Sequence, residues 1–293
     1  MRAAAKGRER VVELLLADGR VNINARDVNG ETAFIKAAAA AGHTGTINKL
    51  LSCPNLDAHA RNKRGDTALT KAITKGVSGV VRLLLGKNIF SVNSTSGNRE
   101  TVLSKASSWG HHECVQAILE HGDEVDVIAM DGRGETALMK AADRGHSEVV
   151  HALLAHAKID VNVKDNRRGD TPLMHACMRG DASCTAHLLS SRKANINARN
   201  PQGETALIQA CSSNHEGCVK LLLEQEVNME LEDNTGETAL LKAASRGHWS
   251  VVELLVKHGV DVDAVGRRRE TALMKALAGN HEATVYVLVK RGS

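Results

Sequence analysis

Glu135-Thr136-Ala137-Leu138-Met139-Lys140-Ala141-Ala142, followed by Gly145-His146 and then Val149-Val150-His151-Ala152-Leu153-Leu154, contains a whole helix-turn-helix unit. Thr136 supplies the side-chain oxygen that a helix N-cap uses to satisfy an orphan amide. A short Ala-rich helix follows and ends at Gly145, which tolerates the turn. The second segment is apolar at helical spacing, as it is again in Val80-Val81-Arg82-Leu83-Leu84-Leu85. Beyond it comes an extended stretch such as Val161-Asn162-Val163-Lys164-Asp165, with a Gly shortly before the next Thr, which reads as a hairpin-like loop.

The pattern recurs along the chain. Its Thr residues are Thr32, Thr67, Thr101, Thr136, Thr171, Thr205, Thr238 and Thr271, spaced by 33–35 residues. A partial unit at 1–26 carries Ala3-Ala4, Gly7 and Val11-Val12-Glu13-Leu14-Leu15-Leu16, which makes nine helix pairs in all. A chain of 293 residues would ordinarily suggest two domains; a fixed period predicts instead a single array over 1–293. Composition agrees: apolar residues make up 42% and aromatics only 2%, so the core is built thinly from Leu, Val, Ile and Ala.

These residues resemble the ankyrin repeat, whose pattern runs Gly-x-Thr-Pro-Leu-His-x-Ala-Ala-x-x-Gly-His-x-x-Val-Val-x-Leu-Leu-Leu. The resemblance covers essentially the whole chain and implies an all-α solenoid of stacked helix-turn-helix units joined by hairpin-like loops. This sequence departs from the pattern at the first His, replaced by Ile35, Thr70, Ser104, Met139, Met174, Ile208, Leu241 and Met274, so packing is expected to hold the helix starts. The second His persists as His43, His111, His146, His248 and His281. Arg99 and Arg269 replace the Gly before Thr101 and Thr271, which leaves the form of those two hairpin tips open.

Chemistry is hard to find. The pairs His112-Glu113, His215-Glu216 and His281-Glu282 lack the second His that a zinc-protease helix needs. Gly132-Arg133-Gly134 precedes a helix, but Gly134 is the repeat's own turn glycine and no parallel-sheet strand leads into it. Cys177, Cys184, Cys211 and Cys218 fall at equivalent core positions of two successive units, where free Cys packs as a small hydrophobe. The expectation is therefore no catalytic residue, no metal site, no cofactor and no small-molecule ligand. The charged N-terminus, the lack of a long apolar segment and six cysteines without a Cys-x-x-Cys pair suggest an intracellular protein, cytoplasmic or nuclear.

In a solenoid each repeat position becomes a row. One row reads Lys36, Lys71, Lys105, Lys140, His175, Gln209, Lys242 and Lys275, about 200° from the leucines that face the core, and is expected to be exposed. Four residues on come Lys75, Trp109, Arg144, Arg179 and Arg246, with Arg133 and Arg168 at hairpin tips. Like charges at i,i+4, as in Lys71/Lys75 and Lys242/Arg246, destabilise a helix slightly, so something must compensate. The resemblance implies that these rows lie on the concave surface where partners bind. They form either a basic track for an acidic partner, with Trp109 as aromatic anchor, or a ladder neutralised by Glu31, Asp66, Glu100, Glu135, Asp170, Glu204, Glu237 and Glu270.

The expected function is a non-catalytic scaffold or adaptor for a protein or peptide. Nucleic-acid or anionic-lipid binding through the basic track, or a targeting module within a larger protein, are the alternatives. Neither terminal unit presents a polar outer face, which implies fraying or coverage of the ends by another chain or segment.

Overall fold

A computed structural model describes residues 1–40, 42–96 and 98–291, with Arg291 described in its backbone only. Gly292 and Ser293, where the sequence pattern stops, lie outside the described residues. Among these residues there are eighteen α-helices and no named strand; one isolated bridge pairs Thr95 with Thr101. The all-α expectation holds.

Two compact units, Met1–Gly132 and Arg133–Ser293, hold the helices. The first contains α1 (Arg2–Ala5), α2 (Glu9–Ala17), α3 (Ala33–Ala38), α4 (Thr44–Leu51), α5 (Ala68–Thr74), α6 (Ser78–Gly86), α7 (Val102–Ser108) and α8 (His112–Leu119). The second contains α9 (Ala137–Asp143), α10 (Ser147–Leu154), α11 (Pro172–Arg179), α12 (Ala182–Ser190), α13 (Ala206–Ser212) and α14 (Glu216–Leu223). It continues through α15 (Ala239–Ser245), α16 (Trp249–Lys257), α17 (Ala272–Ala278) and α18 (Glu282–Arg291). Within each unit, odd-numbered helices stack on odd, even on even, and each odd helix packs on the even helix that follows it.

All eight motif threonines cap their helices. The Oγ1 of Thr32, Thr101, Thr205 and Thr271 accepts from the amide three residues on at 3.0–3.3 Å, and the other four do the same. Where the family pattern has its first His, packing does the work: Ile35, Met139, Met174, Ile208 and Leu241 are buried. Thr70 adds a reciprocal bond, its Oγ1 accepting from the Thr67 amide at 2.8 Å.

The second His ties one repeat to the one before it. His111 Nε2 lies 3.3 Å from the Thr74 carbonyl, His215 Nε2 3.1 Å from Met178 O, His248 Nδ1 3.0 Å from Cys211 O, and His281 Nε2 3.2 Å from Ser245 O. Each fills a carbonyl left open at the end of a first helix. His215 belongs to this set although Asn214 stands where the pattern has Gly; Asn214 takes φ 61° in its place. Gly180 shows why the turn favours glycine, since it holds φ 79° and a Cβ there would run into the His215 ring. Arg99 and Arg269 adopt φ 57° and 58°, so both tips keep their turns without Gly, at a cost of about 1 kcal/mol each.

Cys114, Cys177, Cys184, Cys211 and Cys218 are buried. Burial pushes the Cys184 and Cys211 thiols up and raises Cys114 to about 11. The Thr185 hydroxyl lies between Cys177 and Cys218, 3.8 and 3.4 Å from their sulfurs, as expected of core packing.

Because the Thr205 cap is buried and single, Thr205→Ala should lower stability by about 1 kcal/mol in urea unfolding of the full chain. An unchanged midpoint would show that packing alone sets that helix start.

Candidate partner-binding face

The lysine row does not lie open. In Met1–Gly132, Lys36 Nζ sits 2.8 Å from Asp27 Oδ2 and 3.5 Å from Glu31 Oε2. Lys71 reaches back to the preceding hairpin, 2.6 Å from Glu31 Oε1, and Lys105 does likewise toward Asp66 at 3.5 Å. Glu31 is thereby clasped by two lysines. The Lys36 ammonium, with the amides of Glu31 and Asn29, holds Asp27 down at about 2, and Asp27 in turn raises Lys36. Burial works to raise Glu31, but Lys71 and Lys36 together outweigh it and leave its carboxyl low.

Arg133–Ser293 repeats the arrangement. Lys242 lies 2.7 Å from Asp233 Oδ2, and Lys275 bridges Glu237 of the preceding hairpin at 2.5 Å and Glu270 of its own at 3.4 Å. Lys140, Arg144 and Arg133 are also engaged in interactions. At the two positions without lysine, neutral or titratable groups stand in. His175 Nε2 is 3.0 Å from Asp165 Oδ2, and its Nδ1 is 3.8 Å from Asp143 Oδ1. Gln209 Nε2 donates to Asp170 Oδ1 at 2.9 Å, beside Asn200 Nδ2 at 2.8 Å. Arg168 turns inward onto Asp170 and Glu204, at 3.0 and 3.1 Å.

The expectation that this row is exposed is therefore corrected. The side chains of Lys36, Lys71, Lys105, Lys242 and Lys275 are only 14–26% exposed, and His175 and Gln209 are buried. Angular position on the helix does point them off the core, but their stems lie along the face and the heads are drawn to carboxylates of successive hairpins. That pairing also compensates the like-charge i,i+4 pairs noted in the sequence.

The outer row differs. Lys75, Arg179 and Arg246 are exposed, and Trp109, which caps the C-terminus of α7, is 52% exposed. Among the described residues no salt bridge holds Lys75 or Arg179. Arg179 adds to the positive field that, after His175, keeps Asp143 low. The Arg246 guanidinium donates to the Ser212 carbonyl, which orients it at the end of the neighbouring first helix.

Sequence reasoning passed over a third set, the Asp or Asn five or six residues before six of the eight Thr residues, all but Thr101 and Thr271. Asp27 Oδ1 accepts from the amides of Asn29 and Glu31, both at 2.9 Å, and Asn62, Asp165, Asn200 and Asp233 bond their own hairpins in the same way. Their fixed offset from Thr was the signal available. These Asx turns aim the second carboxylate oxygens of Asp27, Asp165 and Asp233 at the row residue.

His175 makes this ladder pH-sensitive. Burial disfavours its charged form, but Asp143 and Asp165 prevail and raise its pKa above the usual value. A group raised in the folded state stabilises fully below its unfolded pKa of ~6.5, and that contribution disappears as pH rises through the folded value. Wild-type stability should therefore fall, relative to His175→Gln, as pH is raised above ~6.5 in a series of urea midpoints. Parallel pH profiles for the two proteins would contradict this.

The family described as ankyrin repeats (3 copies) matches residues 1–96, 78–165, 158–233 and 225–293, which together span the chain. No curated protein matches it significantly. Among solved structures, the ankyrin repeat domain of Bcl-3, a unique member of the IkappaB protein family, is 26% identical with a TM-score of 0.67 over 78% of this chain and 100% of that one. The human ASB11 ankyrin repeat domain is 27% identical, with a TM-score of 0.66 over 77% of this chain and 98% of that one. With its capping threonines, Gly-His turns and stacked helix pairs accounted for, the chain belongs to the ankyrin repeat family.

Proposed function

We propose that this chain is a non-catalytic interaction scaffold that holds a protein or peptide partner on the face of its first helices. Ankyrin repeats generally serve protein–protein interaction, and the finer assignment rests on one observation. The inner lysines pair with the hairpin carboxylates, whereas in Met1–Gly132 Lys75 and Trp109 are exposed at the ends of α5 and α7, which pack together, and in Arg133–Ser293 Arg179 and Arg246 are exposed. In Met1–Gly132 an exposed cation on the helix next to an exposed indole suits a segment carrying carboxylates and an apolar side chain, because the indole offers buried area and the cation steers approach. The partner is read as acidic on this account.

Lys36, Lys71, Lys105, Lys140, Lys242 and Lys275 then act indirectly, by fixing the surface from which the outer row projects. An intracellular setting, cytoplasmic or nuclear, belongs to the same proposal and is supported by six free thiols. No helix among the described residues is long and apolar enough to cross a membrane.

Two sets of variants separate the roles. Trp109→Ala with Lys75→Glu, and separately Arg179→Glu with Arg246→Glu, should reduce capture of a partner while leaving the urea midpoint nearly unchanged. Lys71→Met should instead lower the midpoint, because it removes one partner of a half-buried pair. Capture unaffected by the outer-row variants would reject this face. Equal capture of heparin and protein, with steep salt dependence, would favour a general polyanion site.

A further inference from the structure

Several histidine rings of this chain are committed to the fold. His111, His215, His248 and His281 each meet a carbonyl of the preceding repeat, and His175 lies between Asp143 and Asp165. His151 and His187 are different. His151 is exposed on α10 and His187 half-buried on α12, two second helices that pack side by side in Arg133–Ser293. Among the described residues neither ring makes a hydrogen bond or ion pair, and the contact each ring does make is with the other. Their centres are 5.0 Å apart with the planes at 45°. That is neither the offset-parallel nor the edge-to-face arrangement an aromatic pair favours.

We propose that His151 and His187 bind a divalent transition-metal ion of the nickel, copper or zinc kind, through one nitrogen of each ring, with water completing the coordination. The separation carries the argument. An imidazole nitrogen coordinates at about 2.0–2.1 Å, which puts the ring centre about 3.2 Å from the ion. Two rings set at about 90–109° around one ion then have their centres about 4.5–5.2 Å apart. The observed 5.0 Å falls inside that interval.

The chemistry of the donors narrows the ion. Imidazole suits nickel, copper and zinc, whereas magnesium and calcium take oxygen ligands. Glu148, exposed one turn before His151 on the same face of α10, adds negative charge beside the pair. No group of three His, Cys, Asp or Glu side chains among the described residues is placed to hold an ion, so the chain supplies two ligands and the remaining positions belong to water. An ion held this way clips two successive repeats together. It does so on the second helices, independently of the partner face on the first helices. The spacing hides the pair in the sequence: His187 is 36 residues after His151, whereas the repeat there is 35, so the two rings do not form a row.

Nickel chloride titrated into the nitrogen-15-labelled full chain tests the site, because the paramagnetic ion broadens the nearest amide signals first. Signals from 147–155 and 183–191 should be lost before any others, and excess magnesium should not restore them. By calorimetry, His151→Gln and His187→Gln should each bind nickel at least tenfold more weakly than wild type, with unchanged helical circular dichroism. His258→Ala, which removes another exposed ring, should bind as wild type does. Broadening that begins elsewhere in the chain, or a loss smaller than tenfold in the exposed-site variant His151→Gln, would overturn the proposal.

Discussion

A helix pair of this chain cannot bury its own apolar face; only a neighbouring pair can. Val11 and Val80 hold the same position in the same kind of helix, yet Val11 is 46% exposed and Val80 0%, since α6 packs on α4 and α2 packs on no earlier even-numbered helix among the described residues. Stability in such an array is a sum of repeat and nearest-neighbour contributions. The rest of the structure serves that constraint. Threonine caps start each first helix at a fixed point, Gly or Asn in the left-handed region ends it, and the second His reaches the open carbonyl of the repeat before.

The polar groups between repeats obey the same geometry. A lysine placed off the core on a first helix meets the Asx carboxylate of its own hairpin, as Lys36 and Lys242 do, or the acid before Thr of the previous one, as Lys71, Lys105 and Lys275 do. Both partners are half-buried, so these pairs align hairpins rather than decorate a surface, and removing one partner costs more than the pair contributes. Where the row changes to His175 and Gln209, Asp165, Asp170, Asn200 and Arg168 rearrange into a local hydrogen-bonded cluster. The proposed binding surface is what remains after this use of charge, which gives Trp109 and the outer cations their weight in that proposal.

Much of this was legible in the sequence. The period, the nine helix pairs, the caps and the core placement of the cysteines follow from residue type and spacing, because each has a local cause. The side-chain ladder was legible only as two alternatives. Helical angle gave the direction of Lys71 but not the reach of its stem, which bends back by one repeat to Glu31. The tips at Arg99 and Arg269 were ambiguous because Arg disfavours positive φ, whereas bonds within the hairpin, Arg99 N to Ser96 O and Arg269 N to Gly266 O, close the same turn. His215 was missed although His281, which also follows an Asn at positive φ, was read at the same position. Arg168 was read as a projecting tip, but an extra residue between Asp165 and Thr171 lets it fold onto Asp170 and Glu204.

Native-state hydrogen exchange of the full chain tests the nearest-neighbour account most directly. Protection should be greatest in α5 and α6 of the first unit and α11 to α16 of the second, and should fall by at least tenfold toward α1 and α2 and toward α17 and α18. Equal protection of the terminal pairs and the interior pairs would contradict the account.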